Sequence, residues 1–181
     1  MGNISNHLPI PKQVQFVLLF LIIFSVLHLA YSSTRGTAIE EILIDKITVA
    51  TGTWIIDSIS PALNVKAIGP KIRCAAGSLT VLNGCEGFEA IFLLVAAIVS
   101  ISAKWRDKIV GVVLGTLFIY TLNQVRIVTL FYLFLQKDKW FNLVHGYIGP
   151  MIIIMLGSLF FFGWISFVSP KSSEAEINAE S

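Results

Sequence analysis

Residues 109–135 read IVGVVLGTLFIYTLNQVRIVTLFYLFL, an almost uninterrupted apolar stretch with one charged side chain, Arg126. A transmembrane helix needs about 20 consecutive, mainly apolar residues. Three further stretches of similar character lie at residues 13–31, 88–103 and 146–168. We therefore predict an all-α polytopic membrane protein with about four transmembrane helices.

The composition of the whole chain agrees with a membrane protein. Hydrophobic residues make up 55% of the sequence and charged residues only 13%, whereas a soluble domain has about 25% charged residues. The net charge of +2 comes without a basic cluster, which excludes a nucleic-acid-binding surface. We treat residues 1–181 as one membrane domain, with a polar tail at residues 170–181 that we expect to be disordered.

The longest extramembrane segment, residues 32–84, has two halves with different periods. Residues 38–59 repeat apolar side chains at helical spacing, which predicts an amphipathic helix lying on the membrane face. After Pro61, the stretches ALNVKAI (62–68) and SLTVLN (78–83) have the character of short strands. They predict a small β-hairpin that leads directly into Cys85.

Two features of the chain's topology stay open at this point. The pattern Ala30-Tyr31-Ser32 also suits the cleavage site of a signal peptide. Two features argue against cleavage: the apolar run before it is long enough to cross the membrane, and the segment before that run is barely charged. Basic residues crowd the short loop at residues 104–108, which favours a cytoplasmic loop there, although the opposite side also carries basic residues. Four spans place Cys85 and His145 on one shared side, which we predict to be the extracytoplasmic face of the plasma (inner) membrane.

Arg126 is the one charged residue of the third predicted span, and it is energetically unfavourable to place in a membrane. An arginine near the centre of a membrane helix costs about 2.5–3.5 kcal/mol on insertion scales. Counting from Leu135 at 1.5 Å per residue puts Arg126 about 13 Å below the surface that Cys85 and His145 share. Polar side chains recur every three or four residues on the same helix face: Thr116, Tyr120, Asn123 and Arg126. We expect this face to point toward neighbouring helices and toward Cys85 and His145.

These three residue types suit nucleophilic catalysis. A helix N-terminus and a nearby cation both favour the thiolate form of a cysteine. Cys85 lies just before the second predicted span, and Arg126 is the cation expected near it. His145 is suited to accept the thiol proton and return it to a leaving amine. The fixed charge of Arg126 suits a developing oxyanion. Glu86 and Glu89 lie within one turn of Cys85, where they are placed to position Arg126, although their negative charges also oppose thiolate formation.

Each of these residues also has a simpler structural interpretation. Cys85 is of a type that packs as a small hydrophobe or forms a disulfide, here with Cys74. Arg126 suits a structural ion pair with Glu86 or Glu89, and His145 an interfacial position without a reaction to perform. The predicted convergence of all three in one leaflet is what favours a functional site.

The same residues carry a resemblance to a known family. Three groups match in order and spacing: Cys85-Glu86-Gly87, then Asn123-Gln124-Val125-Arg126-Ile127, then His145 with Gly149. Over about residues 79–164 the chain resembles the exosortase/archaeosortase family of polytopic membrane cysteine proteases and transpeptidases. The resemblance implies that Cys85, Arg126 and His145 are the catalytic residues, with Asn123 beside them in the motif.

The resemblance also implies the partners. Family substrates are exported proteins with a C-terminal sorting signal that includes a transmembrane helix, and the cleaved protein passes through a thioester to a surface acceptor, such as a lipid or a glycan. Neither a cofactor nor a metal is implied. Two departures stand out: many members have about eight spans, so this chain looks like a compact form such as exosortase H, and Glu86 stands where many members have a small hydroxyl residue.

Two alternatives belong to other functional classes. A membrane thiol oxidoreductase would use Cys74 and Cys85, although ten residues separate them and the chain has no Cys-x-x-Cys motif. A non-enzymatic membrane assembly protein would use the polar face of the third span only to hold helices together, and Cys85 would then be dispensable.

Overall fold

The structure, a computed structural model, describes residues 11–81, 85–137 and 139–177, with side chains as far as residue 168. The described part is mainly helical. Its α-helices are α1 (Lys12–Ser32), α2 (Ala38–Glu41), α3 (Ala50–Ile59), α4 (Phe88–Ser100), α5 (Trp105–Leu135), α6 (Phe141–Leu143) and α7 (Gly149–Ile177). Two π-helical segments, Ile42–Val49 and Val144–Ile148, join α2 to α3 and α6 to α7, and a 3₁₀ turn covers Pro61–Leu63.

Three helical stretches are long and apolar enough to cross a membrane: Lys12–Ser32, Trp105–Leu135 and Phe141–Val168. They correspond to the first, third and fourth predicted spans. The second prediction, residues 88–103, is only partly confirmed, because α4 ends at Ser100 and has 13 residues. At 1.5 Å per residue it is roughly 20 Å long, shorter than the hydrocarbon core of about 30 Å.

Helix α4 is nevertheless the centre of the bundle, in contact with α1, α5 and α7. Glycines let α5 and α7 approach closely, as small residues commonly do between membrane helices. A Cβ on Gly115 would lie 2.6 Å from a side-chain carbon of Leu94 in α4, and one on Gly157 would lie 2.9 Å from Ile119 in α5. This packing places the N-terminal end of α4 beside the start of α7.

The loop before α4 contains a three-stranded antiparallel sheet in the order β1 (Lys66–Ile68), β2 (Lys71–Cys74) and β3 (Gly77–Thr80). The predicted two-stranded hairpin is therefore extended by a strand, β2, that pairs with both others. Ile72 of β2 lies opposite Ala67 and Leu79. Residues 82 and 83 of the predicted second strand lie outside the described residues.

The missed strand β2 carries a clear signal in hindsight. Its side chains alternate, with Ile72 and Cys74 buried and Lys71 and Arg73 exposed. Such an alternation is the period of a half-buried strand. Because Lys71 and Arg73 are charged, the segment has the composition of a surface loop, and its alternation was overlooked.

The amphipathic segment, residues 38–59, is helical as predicted, but it packs against α5 and is part of the bundle. The hydroxyl of Tyr120 donates a hydrogen bond of 2.7 Å to the backbone oxygen of Ile47. A Cβ on Gly52 would lie 3.3 Å from Ile127 and 3.4 Å from the Gln124 side-chain oxygen. These contacts bring the segment alongside the middle of α5, and its predicted position on the membrane face stays a prediction.

One hydrophobic cluster joins the sheet, the amphipathic segment and the C-terminal half of α5. Its fully buried members include Val49, Ile56, Ile72 and Phe131, and Cys85 packs against its edge. The segment between α1 and α4 therefore packs against the Cys85 turn.

Helix α7 extends beyond the predicted span. Its backbone is helical to Ile177, within the segment 170–181 for which the sequence predicts disorder. Residues 178–181 lie outside the described part of the chain, so the predicted tail stays a prediction.

Candidate active site

The turn that holds Cys85 is shaped by a glycine. Cys85 and Glu86 precede α4, which begins at Phe88, the residue at which the predicted second span also begins. Gly87 at the helix start has φ +82°, a left-handed conformation that favours glycine. A Cβ at this position would also lie 2.8 Å from Cγ of Asn123. The turn therefore fits tightly against α5.

His145 faces the Cys85 thiol across the end of the bundle. Cys85 Sγ lies 3.7 Å from Nε2 and 4.0 Å from Nδ1 of His145. The imidazole stacks on the ring of Phe141, with centroids 5.7 Å apart and planes 3° from parallel. Phe141 thus fixes the plane of the imidazole, and the nucleophile and the base that the sequence predicts lie in contact.

Arg126 is bound to the same turn of helix. Its Nη2 donates a hydrogen bond of 3.0 Å to the backbone oxygen of His145. A Cβ on Gly149 would lie 2.8 Å from the Arg126 Nε, so the guanidinium packs directly on the backbone at the start of α7. The Nε itself is buried and has no hydrogen-bond partner among the described residues. Arg126 therefore links α5 to the segment that carries His145.

Glu86 has a different partner from the predicted one. Its carboxyl group accepts a hydrogen bond from the hydroxyl of Tyr31 at the end of α1. Glu86 is 2% exposed, so this contact is shielded from solvent. Glu89 lies exposed on the first turn of α4 and lines a cleft together with Arg126.

Asn123 and Gln124 are buried polar residues of α5. Asn123 has no exposed surface and Gln124 is 3% exposed, and neither carboxamide has a hydrogen-bond partner among the described residues. An unpaired buried polar group costs about 1–3 kcal/mol. Such groups in native proteins call for a function or a bound partner molecule. Asn123 contacts the Cys85 turn through Gly87, whereas Gln124 faces the amphipathic segment.

A cleft of about 110 Å³ opens beside Arg126, between α4 and α7. It is lined by Gly87, Glu89, Ala90, Leu93, Arg126, Pro150, Ile153 and Ile154. A second cleft of about 230 Å³ shares four of these residues and continues along the two helices to Phe20 and Phe161. Together they form an apolar groove that reaches from the bundle interior to Arg126.

No disulfide joins Cys74 and Cys85 in the structure. Cys74 belongs to β2 and is buried in the cluster beneath the sheet, whereas Cys85 is half-buried at the edge of that cluster. Only Cys85 lies against His145.

The structure thus brings Cys85, Arg126 and His145 to one site, with Asn123 and Glu86 against the Cys85 turn; their catalytic roles stay a prediction. Sequence reasoning missed Phe141 and Tyr31. Phe141 was within reach, because it lies four residues before His145 and such pairs meet on a helix. No sequence pattern connects Tyr31 with Glu86, because their positions are 55 residues apart in the chain.

Comparison with known proteins adds one finding. A family model described as transmembrane exosortase matches residues 9–163. No curated protein and no solved structure gives a significant match.

Proposed function

This chain belongs to the transmembrane exosortase family, and from this premise we propose that it is a membrane-embedded cysteine endopeptidase and transpeptidase. Its substrates are exported proteins with a C-terminal sorting signal. Cys85 is the nucleophile, His145 the general acid and base, and Arg126 the oxyanion-binding residue. The observation that carries the proposal is the distance of 3.7 Å between Cys85 Sγ and His145 Nε2, at the end of a bundle that also holds Arg126.

The first half-reaction forms a thioester. His145 accepts the thiol proton while Cys85 Sγ attacks the carbonyl carbon of the scissile peptide bond. When the tetrahedral intermediate collapses, the C–N bond breaks and His145 gives its proton to the leaving amine. The C-terminal piece of the substrate departs with a new amino terminus, and the N-terminal piece stays on Cys85 as a thioester.

Arg126 supports this step through charge and position. Negative charge develops on the carbonyl oxygen during the attack, and fixed donors in a site shielded from water stabilise it strongly. Arg126 lines the cleft and is held by the His145 backbone oxygen. Because a guanidinium has five N–H donors in a rigid fork, one bond to His145 leaves others for the oxyanion.

The second half-reaction transfers the acyl group. A hydroxyl or amine of a surface acceptor, such as a lipid or glycan, attacks the thioester carbon, and His145 takes the proton of that nucleophile. The C–S bond breaks, His145 gives that proton to the departing Cys85 sulfur, and both residues return to their starting state. Water in place of the acceptor gives hydrolysis by the same path.

The apolar groove supports a substrate that arrives within the membrane. It runs between α4 and α7 and ends at Arg126 beside the Cys85 turn. A sorting signal with a transmembrane helix would bring its scissile bond to this end of the bundle, which we place on the extracytoplasmic side of the plasma membrane.

The test is co-expression of tagged candidate substrates with the wild type and with Cys85→Ala. Cys74→Ala is the matched control, because Cys74 is the other cysteine of the chain and lies buried in β2. We expect processing to be lost with Cys85→Ala and kept with Cys74→Ala. Processing that persists without Cys85 would overturn the proposal, and equal loss in both variants would favour a redox pair of cysteines.

A further inference from the structure

Tyr31 is distinctive within the first membrane helix. Among the residues of α1, all of which the structure describes, it is the only one that is buried. Its exposed fraction is 8%, whereas Val26 and Leu29 on the same helix are 59% and 67% exposed. Most of α1 thus presents its side chains to the surroundings, and Tyr31 is the residue of α1 that lies deepest in the bundle.

The ring of Tyr31 is fixed by the first turn of α4. It packs at 5.3 Å from the ring of Phe88 and edge-on at 5.6 Å from the ring of Phe92. Aromatic pairs in this distance range contribute about 0.5–1.5 kcal/mol beyond their buried area. These contacts hold the ring, and the hydroxyl then points to the Glu86 carboxyl group.

Glu86 lies between Cys85 and Gly87, so its position determines theirs. The Cys85 turn is held at two points: Glu86 is bound to Tyr31 and Gly87 packs on Asn123. Cys85 itself needs a defined place, because its sulfur meets the imidazole at 3.7 Å. A shift of the turn by an ångström would separate the pair.

We propose that Tyr31 is a positioning residue, which acts through Glu86 to hold Cys85 against His145. The C-terminal end of the first membrane helix then supports the catalytic pair. This inference rests on the proposed function, in which Cys85 and His145 act as a pair. In this inference, the hydrogen bond between Tyr31 and Glu86 positions Cys85 in addition to stabilising the fold.

The location of the hydrogen bond supports the positioning role. A buried polar pair adds little to net stability compared with an apolar pair of the same shape. The hydrogen bond contributes more by fixing the position of Glu86 than by adding stability. Glu86 is the residue next to Cys85, the proposed nucleophile. Active sites hold their reacting groups through such supporting contacts.

The central variant is Tyr31→Phe, which keeps the ring on Phe88 and Phe92 and removes only the hydroxyl. The matched control is Tyr120→Phe, since Tyr120 also bridges two helices through a hydroxyl, at 2.7 Å from the Ile47 backbone oxygen. We expect Tyr31→Phe to lower kcat about tenfold with KM little changed, and Tyr120→Phe to leave kcat within about twofold. Equal kcat values in the two variants would overturn the inference.

The second readout is the reactivity of Cys85 toward an alkylating reagent, measured against pH in a Cys74→Ala background. If Tyr31 positions Cys85 beside His145, Tyr31→Phe moves the alkylation midpoint upward and Tyr120→Phe does not. Glu86→Gln and Glu86→Ala remove the same negative charge beside Cys85, but only Glu86→Gln keeps an acceptor for the Tyr31 hydroxyl, so the midpoint of Glu86→Ala should lie above that of Glu86→Gln. A midpoint unchanged by Tyr31→Phe, together with equal midpoints for the two Glu86 variants, would contradict a positioning role.

The two readouts separate this inference from the proposed function. The alkylation profile needs no substrate, so it reports on the Cys85 turn even if no processing is detected. Processing by the wild type together with an unshifted Tyr31→Phe profile and unchanged kcat would reject only the role of Tyr31. A shifted profile together with processing that survives Cys85→Ala would reject only the protease.

Discussion

Arg126 combines two tasks that a single cation of another shape would not fulfil. Its guanidinium binds the backbone oxygen of His145 at 3.0 Å, and Arg126 also lines the cleft that Gly87 borders. A lysine keeps the charge but replaces the planar fork with a point charge on a flexible stem. The function of Arg126 therefore depends on its geometry as well as on its charge.

We expect Arg126→Lys to accumulate in the membrane normally and to lower kcat by at least about 100-fold, the lower figure for the loss of one oxyanion donor. Processing of a tagged substrate measures the effect. Arg73→Lys is the control, because Arg73 is exposed on β2. Wild-type turnover by Arg126→Lys would return Arg126 to a purely structural role.

Gly87 shows how closely the nucleophile's turn is fitted. Gly87→Ala combines a left-handed backbone, at about 1–2 kcal/mol for a residue with a Cβ, with a contact of 2.8 Å to Asn123 Cγ. Gly36→Ala is the control, since Gly36 has φ +73° and nothing within 4 Å of the added Cβ. We expect Gly87→Ala to lower both processing and the thermal midpoint in detergent, and Gly36→Ala to lower only the midpoint. Equal effects on processing would show that the fit against Asn123 is unimportant.

Among the elements, the three-stranded sheet contributes to the hydrophobic cluster against which Cys85 packs. Ile72 of β2 is fully buried in the cluster against which Cys85 packs. Removal of a large aliphatic core side chain costs about 2–5 kcal/mol. We expect Ile72→Ala to lower the thermal midpoint markedly, whereas Ile68→Ala, at a position that is 50% exposed, should change it little. Similar midpoints for the two variants would mean that the sheet does not contribute to the folded core.

The elements also show how far the sequence leads and where it stops. Apolar length identified α1, α5 and α7, because the membrane imposes that length. The same rule overestimated α4, which is surrounded by other helices and ends at Ser100. Apolar residues in its continuation, such as Ile101, still resemble a span. Composition alone does not separate a helix shielded by protein from one that meets lipid.

The candidate site follows the same division. Cys85, Arg126 and His145 were predicted together because the cost of an intramembrane arginine and the shared end of the helices are readable from spacing. Tyr31 and the packing of Gly149 on Arg126 were not, since they depend on contacts between distant segments. Spacing along one helix predicts neighbours on its face, and only the assembled bundle shows which faces meet.

At the scale of the whole molecule, the orientation in the membrane is a prediction: we expect the end of the bundle that carries Cys85 to face the extracytoplasmic side. Cys85 is half-buried at one end of the bundle. In a Cys74→Ala background, we expect a membrane-impermeant thiol reagent to label Cys85 in intact cells. Labelling that requires permeabilised cells would place the site on the cytoplasmic side and reverse the topology.

The central claim is that Cys85 carries the cleaved substrate as a thioester, and trapping that intermediate tests it most directly. Wild-type protein would be incubated in membranes with a tagged substrate, quenched in acid, digested and analysed by mass spectrometry, with Cys85→Ala as the control. We predict the N-terminal fragment of the substrate bound to Cys85 and released by hydroxylamine, and neither cleavage nor adduct with Cys85→Ala. Cleavage that leaves Cys85 unmodified, and that continues in Cys85→Ala, would contradict the account.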